Sequence, residues 1–175
     1  MNLIPKLFYI INELARRRAP GKKTLQKIVY LLERKGVDLG LDYSIHYYGP
    51  YSSELDSSVY SLQMQGAIVI EPDGMTQRLK PTELGTELFF DPQGPFDRES
   101  TAVIHEIIDR FGARGGRILE LLTTTDFVAQ NLLENGQSVT DENIVRGVVT
   151  IKGEKFSKQE IGEAIAELRK ENLVG

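Results

Sequence analysis

The chain has 175 residues, 41% of them hydrophobic and 26% charged, with two histidines, no cysteine and a formal net charge of −4. That length supports a core without covalent staples. The lack of cysteine excludes a disulfide frame, a thiolate nucleophile and a cysteine zinc site, and no apolar run approaches the roughly 18 residues that span a bilayer.

In chain order, Leu3, Leu7, Ile10, Ile11 and Leu14 recur at helical spacing and predict a helix over residues 3–18, ended by Pro20-Gly21. Leu25, Ile28, Val29 and Leu32 form the apolar stripe of a second helix over 23–35, stopped at Gly36. Residues 43–48 alternate as a short strand, with Tyr43, Ile45 and Tyr47 on one face, broken by Gly49-Pro50. Ser52 or Ser53 then caps a helix whose inward line is Leu55, Val59 and Leu62 and whose end is Gly66. AIVIEPDGMTQRLKPTELG has the form of a hairpin around a Pro-Asp-Gly turn, with Pro81-Thr82 opening another helix.

Three helices followed by a two-stranded wing is the winged-helix order, and the strand from Tyr43 is expected to extend the wing to three strands. DPQGPFDRE (91–99) concentrates Pro, Gly and Asp and marks a domain boundary. The expected class is mainly α, in α+β form: a winged-helix-like domain over 1–92 with a small β wing, then an all-helical domain over 93–175. In the latter, one helix carries Val103 to Phe111, GARGGR interrupts, and Ile118 to Leu133 continues with a kink near Thr123–Asp126. Two further helices close the chain, and Ser157 with Glu160 forms a capping box at the start of the last.

Charge is unevenly spread. Residues 1–36 sum to +7 and the remainder to −11, which gives the molecule one basic end. Enzyme signatures are absent: GKKT lacks the first glycine of a phosphate loop, GPYSS is no nucleophile elbow, and GARGGR reads as a helix junction. Glu54 and Asp56 are two apart on a helix and point to different sides. The expectation is therefore no enzyme, no cofactor and no metal.

Tyrosine is the feature that stands out. Tyr43, Tyr47, Tyr48, Tyr51 and Tyr60 fall within 18 consecutive residues, and the tyrosine ring with its hydroxyl suits surfaces that are wet until bound. Tyr43 and Tyr47 read as core filler, Tyr48 and Tyr51 as interaction residues beside a rigid Gly-Pro turn.

LQKIVYLLERKG (25–36) followed by YSIHYYGPYSSEL (43–55) resembles the Panacea domain of SocA-like antitoxins, whose pattern is an L-Q-K-[LI]-[LV]-Y helix and then an aromatic-x-Y-G-P turn. It is similar also to the YwgA-related bacterial and archaeal proteins. The likeness spans about residues 5–90. It implies a winged-helix-like fold and direct binding of another protein, such as a toxin or a protease system. By position Leu25, Gln26, Lys27 and Tyr30 match the helix motif, and Tyr48, Gly49, Pro50 and Ser52 the turn. The same residues have a physical reading without a ligand: Gln26 can hydrogen-bond a nearby loop backbone, Tyr30 lies beside it at i+4, and Gly49-Pro50 sets the turn.

Two functions follow as expectations. The first is a cytoplasmic, non-catalytic protein-interaction module, antitoxin-like or an adaptor, acting through the Tyr-Gly-Pro turn at Tyr48–Ser52 and the acidic helix behind it. The alternative is a winged-helix transcriptional regulator that contacts DNA through Arg16, Arg17, Arg18, Lys22, Lys23, Arg78 and Lys80. Glu54 and Asp56 weigh against it, because DNA readers place cations and donors on that helix. No membrane partner is expected, and the charge separation is compatible with a homodimer.

Overall fold

A computed structural model describes residues 2–175. Among them are eight helices and two two-stranded antiparallel sheets, in the order α1 (Leu3–Ala15), α2 (Lys22–Arg34), β1 (Ser44–His46), β2 (Gly49–Tyr51), α3 (Ser53–Met64), β3 (Ile68–Asp73), β4 (Thr76–Pro81), α4 (Glu83–Leu88), α5 (Arg98–Phe111), α6 (Gly116–Glu134), α7 (Asp141–Lys152) and α8 (Lys158–Lys170). The chain is mainly helical, as its periodicity predicts.

Contacts group residues 1–43 with 52–114, and 44–51 with 115–175. By contacts α5 therefore belongs with the N-terminal elements, and the division lies at 114/115, whereas composition places a boundary at 92/93.

In the first unit α1 packs against α3, β4 and α5, and α2 packs against α5. Its core is the set of apolar lines read from the sequence: Leu7, Ile10, Ile11 and Leu14 on α1, Leu25, Ile28, Val29 and Leu32 on α2, and Leu55, Val59 and Leu62 on α3, all buried. Burying each such side chain stabilises by roughly 1.5–3 kcal/mol. Ser52 caps α3, accepting the Leu55 N–H on its hydroxyl. Glu54 and Asp56 lie in that helix's first turn, where carboxylates favour the positive end of the helix dipole. Their charge thus has a local structural reason.

The second unit is a three-helix packing of α6, α7 and α8, with the β1–β2 hairpin laid on α6 through β2. Leu119, Leu122, Val128, Ile144, Val148, Ile161, Ile165 and Leu168 form its core. The Ser157–Glu160 capping box is present. α6 runs unbroken through Thr123–Asp126, where the hydroxyls of Thr123 and Thr125 donate to carbonyls one turn back.

Three strand expectations need correction. The strand from Tyr43 does not extend the later hairpin to three strands: β1 pairs only with β2, and β3 only with β4. Gly49-Pro50 does not break a strand but begins β2, and the turn is Tyr47-Tyr48. Gly49 has φ +103°, so the glycine closes a tight reversal that a residue with a Cβ would resist. Strand alternation extrapolated through Tyr47 placed it inward, whereas a turn residue points out. In the second hairpin Pro72 and Asp73 remain in the ladder, opposite Gln77 and Thr76, and the turn falls at Gly74-Met75.

Candidate functional site

The helix motif is a clasp. Gln26 is buried on α2, its Nε2 donates to the Ser52 carbonyl at 2.9 Å, and its Oε1 accepts the Ser52 N–H at 2.9 Å. One amide thus satisfies the N–H of a buried residue immediately before α3, which would otherwise be dry, and gives its carbonyl a second donor beside the Asp56 N–H. Tyr30, one turn on, is buried and meets Tyr43 edge to face at 5.1 Å. Tyr43 is half-buried, and burial and the charge of Glu33 raise its phenol. Lys27 is buried as well. Gln26, Lys27, Tyr30 and Ser52 are thus interior residues of the first unit.

The turn motif belongs to the second unit. Gly49 and Pro50 are buried, and the Tyr51 ring stacks on His46 with centroids 4.4 Å apart. What the hairpin presents is its tip: Tyr47 is 79% exposed and Tyr48 43%. Their rings meet edge to face at 4.9 Å.

The tip is pinned from below by charge. Glu120 of α6 and Lys152 of α7 have side chains only 6% and 4% exposed and pair at 2.8 Å; Lys155 reaches the other Glu120 oxygen, also at 2.8 Å. Lys152 Nζ donates a short hydrogen bond to the Tyr47 carbonyl, and Lys155 Nζ sits 5.8 Å from the Tyr47 ring centre and 5.6 Å from that of Tyr48. Burial pushes the Glu120 carboxyl up, but the hydrogen bonds and charges of the two lysines outweigh it and hold the group below its ordinary range. Sequence reasoning missed this centre. The signal was Glu120 inside the apolar run RILELLTTT, a carboxylate that has to find a cation when it folds inward.

The seven cations assigned to nucleic acid are mostly engaged. Arg16 pairs with Glu13, Arg17 with Asp109, Arg78 with Asp73 and Lys80 with Glu71. Arg78 also bonds the Ala19 carbonyl, and its hydrogen bond holds Asp73 below the usual carboxylate range. Arg18, Arg78 and Lys80 do converge, on a shallow basin of about 330 Å³ that they share with Glu71 and Asp73. Lys22 and Lys23 are exposed on the first turn of α2.

Two other places were unforeseen. His105 on α5 lies 3.3 Å from both the Tyr9 hydroxyl and the largely buried Glu13 carboxylate of α1. A groove of about 650 Å³ runs between α6 and α7, with Phe127, Leu132 and Ile151 among its lining and Arg146 its one charged residue. Among the described residues no cluster of His, Asp and Glu has the makings of a metal site, and no helix is long and apolar enough to cross a membrane.

No family model matches the chain. A comparison with curated proteins finds the uncharacterised protein YwgA of Bacillus subtilis (strain 168), 30% identical over 150 residues, which is 83% of this chain and 82% of the relative. That alignment is longer than the motif region and must take in elements of both units. The chain belongs to the YwgA-related family.

Proposed function

We propose that the chain is a non-catalytic protein-interaction module, an adaptor or an antitoxin-like partner, that engages another protein through the Tyr47-Tyr48 hairpin tip. The observation that carries this reading is a large aromatic ring, Tyr47, left 79% exposed while its backbone is held by a buried lysine. Exposed rings on a rigid mount lose little entropy on binding, and interfaces are enriched in such tyrosines. The Panacea-like motifs and a winged-helix-like reading of α1, α2, α3 and the β3–β4 hairpin agree with it.

DNA binding is the second reading, favoured by the basin where Arg18, Arg78 and Lys80 meet. Two of those three cations are spent on Asp73 and Glu71, and α3 carries no Lys or Arg, so phosphate neutralisation is weak.

The test is a photo-crosslinking residue at position 47 in native cells, with Tyr47→Ser/Tyr48→Ser alongside. A single protein crosslinked from position 47, which co-purifies with the parent chain but not with the Tyr47→Ser/Tyr48→Ser variant at an unchanged melting temperature, supports the module. Tight duplex binding with a steep salt slope in a gel shift, abolished by Arg18→Ala/Lys80→Ala, would instead establish the regulator.

A further inference from the structure

We propose that the outer face of α3 and α4 is a docking surface for a basic, amphipathic segment of a partner protein. It lies wholly in the first unit and does not depend on the hairpin tip. On α3 the inward line of Leu55, Val59 and Leu62 leaves Tyr60 and Met64 outside, 61% and 67% exposed and one helical turn apart. On the short helix α4 the inward residue is Gly85: a Cβ there would lie 2.3 Å from the Ala67 carbonyl oxygen and 2.6 Å from the Phe8 ring. That close seat turns Leu84 and Leu88, again one turn apart, to the outside.

The two helices are tied at one corner. The Thr82 hydroxyl donates to the Gly66 carbonyl at 2.6 Å, and a Cβ on Gly66 would stand 3.2 Å from Leu84 Cδ2. Gly66, two residues past the end of α3 at Met64, therefore abuts the start of α4. Single exposed apolar side chains are ordinary. Two such pairs meeting at a corner make a patch of the kind that marks an interface.

Its charge identifies the occupant. Glu54, Glu83 and Glu87 are exposed on the same two helices, neither helix carries a Lys or Arg, and these carboxylates enter no ion pair among the described residues. Across residues 36–97 there are ten carboxylates and two cations, and both cations, Arg78 and Lys80, are already paired on the β3–β4 hairpin. Phosphate and anionic lipid are repelled by such a field. A second copy docking by this same face would bring like charges together. The surface fits a helix or strand with apolar anchors one turn apart between lysines or arginines: the anchors supply affinity and the rim charges supply steering.

The probe is a synthetic helical peptide of about eighteen residues with leucines at i, i+4 and i+7 and lysines on the flanks. A control carries glutamate at every lysine. Binding to the full chain is followed by fluorescence anisotropy, with the contact mapped by NMR shifts. The lysine peptide should perturb Tyr60, Met64, Leu84 and Leu88, and the glutamate peptide should bind at least about tenfold more weakly. Met64→Ser/Leu88→Ser should weaken the lysine peptide about tenfold, and Glu83→Lys/Glu87→Lys should flatten its salt dependence. All four positions are exposed, so an unchanged melting temperature certifies the fold. Tyr47→Ser/Tyr48→Ser should leave peptide binding intact, which separates this surface from the tip. Shifts mapping elsewhere, equal binding of the glutamate peptide, or a dimer of the chain that Met64→Ser dissolves would each overturn the proposal.

Discussion

In the first unit one buried polar link is an uncharged amide, Gln26, bonded to the backbone of Ser52. In the second it is a carboxylate, Glu120, held between Lys152 and Lys155. Both links anchor chain next to the Tyr-Gly-Pro turn: the clasp fixes Ser52 just after it, and the ion centre reaches the Tyr47 carbonyl just before it. They differ in what they demand. An amide bonded to backbone cannot be compensated by changing a second side chain, because its partner is not a side chain. A buried ion pair can be replaced as a pair but not by halves.

The largest effect that difference predicts is at Glu120. Glu120→Leu strands Lys152, whose side chain is almost wholly buried, with only a carbonyl as partner. The expected loss is about 3–5 kcal/mol in urea unfolding. Adding Lys152→Leu should recover most of it, since Lys155 is more exposed and can turn to water. A double variant no better than the single one would mean that the centre acts through the Tyr47 carbonyl and not through its charge balance.

Next comes Gln26→Leu, which leaves the buried Ser52 N–H unpaired and its carbonyl with only the Asp56 N–H of α3, at about 1–3 kcal/mol by the same measurement. No second substitution at Ser52 should rescue it. Ser52→Ala is the companion: it keeps the backbone groups in the clasp and removes only the hydroxyl that caps α3, so about 1 kcal/mol is expected. If the two variants cost the same, the clasp contributes nothing beyond the cap.

The amide link was legible in the sequence and the ionic one was not. Gln26 sits in a helix motif a short interval before a glycine-proline turn, and a helix amide near a loop has an evident use. Glu120 on α6 is 32 residues from Lys152 on α7 and 35 from Lys155 in the loop that follows, and no local period connects them. The apolar lines of α1, α2 and α3 follow from spacing alone, as does the capping box at Ser157. Tyr47 was misplaced because alternation is a property of strands, and only the positive φ at Gly49 reveals that the strand has ended. Ser44–Tyr51 also groups with the C-terminal helices, a long-range pairing that composition does not encode.

The smallest expected effect is a slope, and it too divides the two links. Lys152 and Lys155 hold Glu120 below the ordinary glutamate value of 4.5, despite burial acting the other way. A carboxylate with a lowered folded pKa binds protons more readily in the unfolded chain. Its stabilisation is therefore complete above pH 4.5 and is lost as pH falls through the lower folded value. Gln26 does not titrate, so its contribution stays constant over that window. Asp73 in the first unit and Asp141 and Glu160 in the second are lowered as well, by Arg78, Arg169 and hydrogen bonds at a cap. Being exposed, they form a background common to every variant. Urea midpoints recorded from pH 7 down to pH 3 should fall less steeply for Glu120→Gln than for the parent chain, and should run parallel to the parent for Gln26→Leu. A Glu120→Gln curve parallel to the parent would show that the lysines, and not the carboxylate between them, hold the hairpin tip in place.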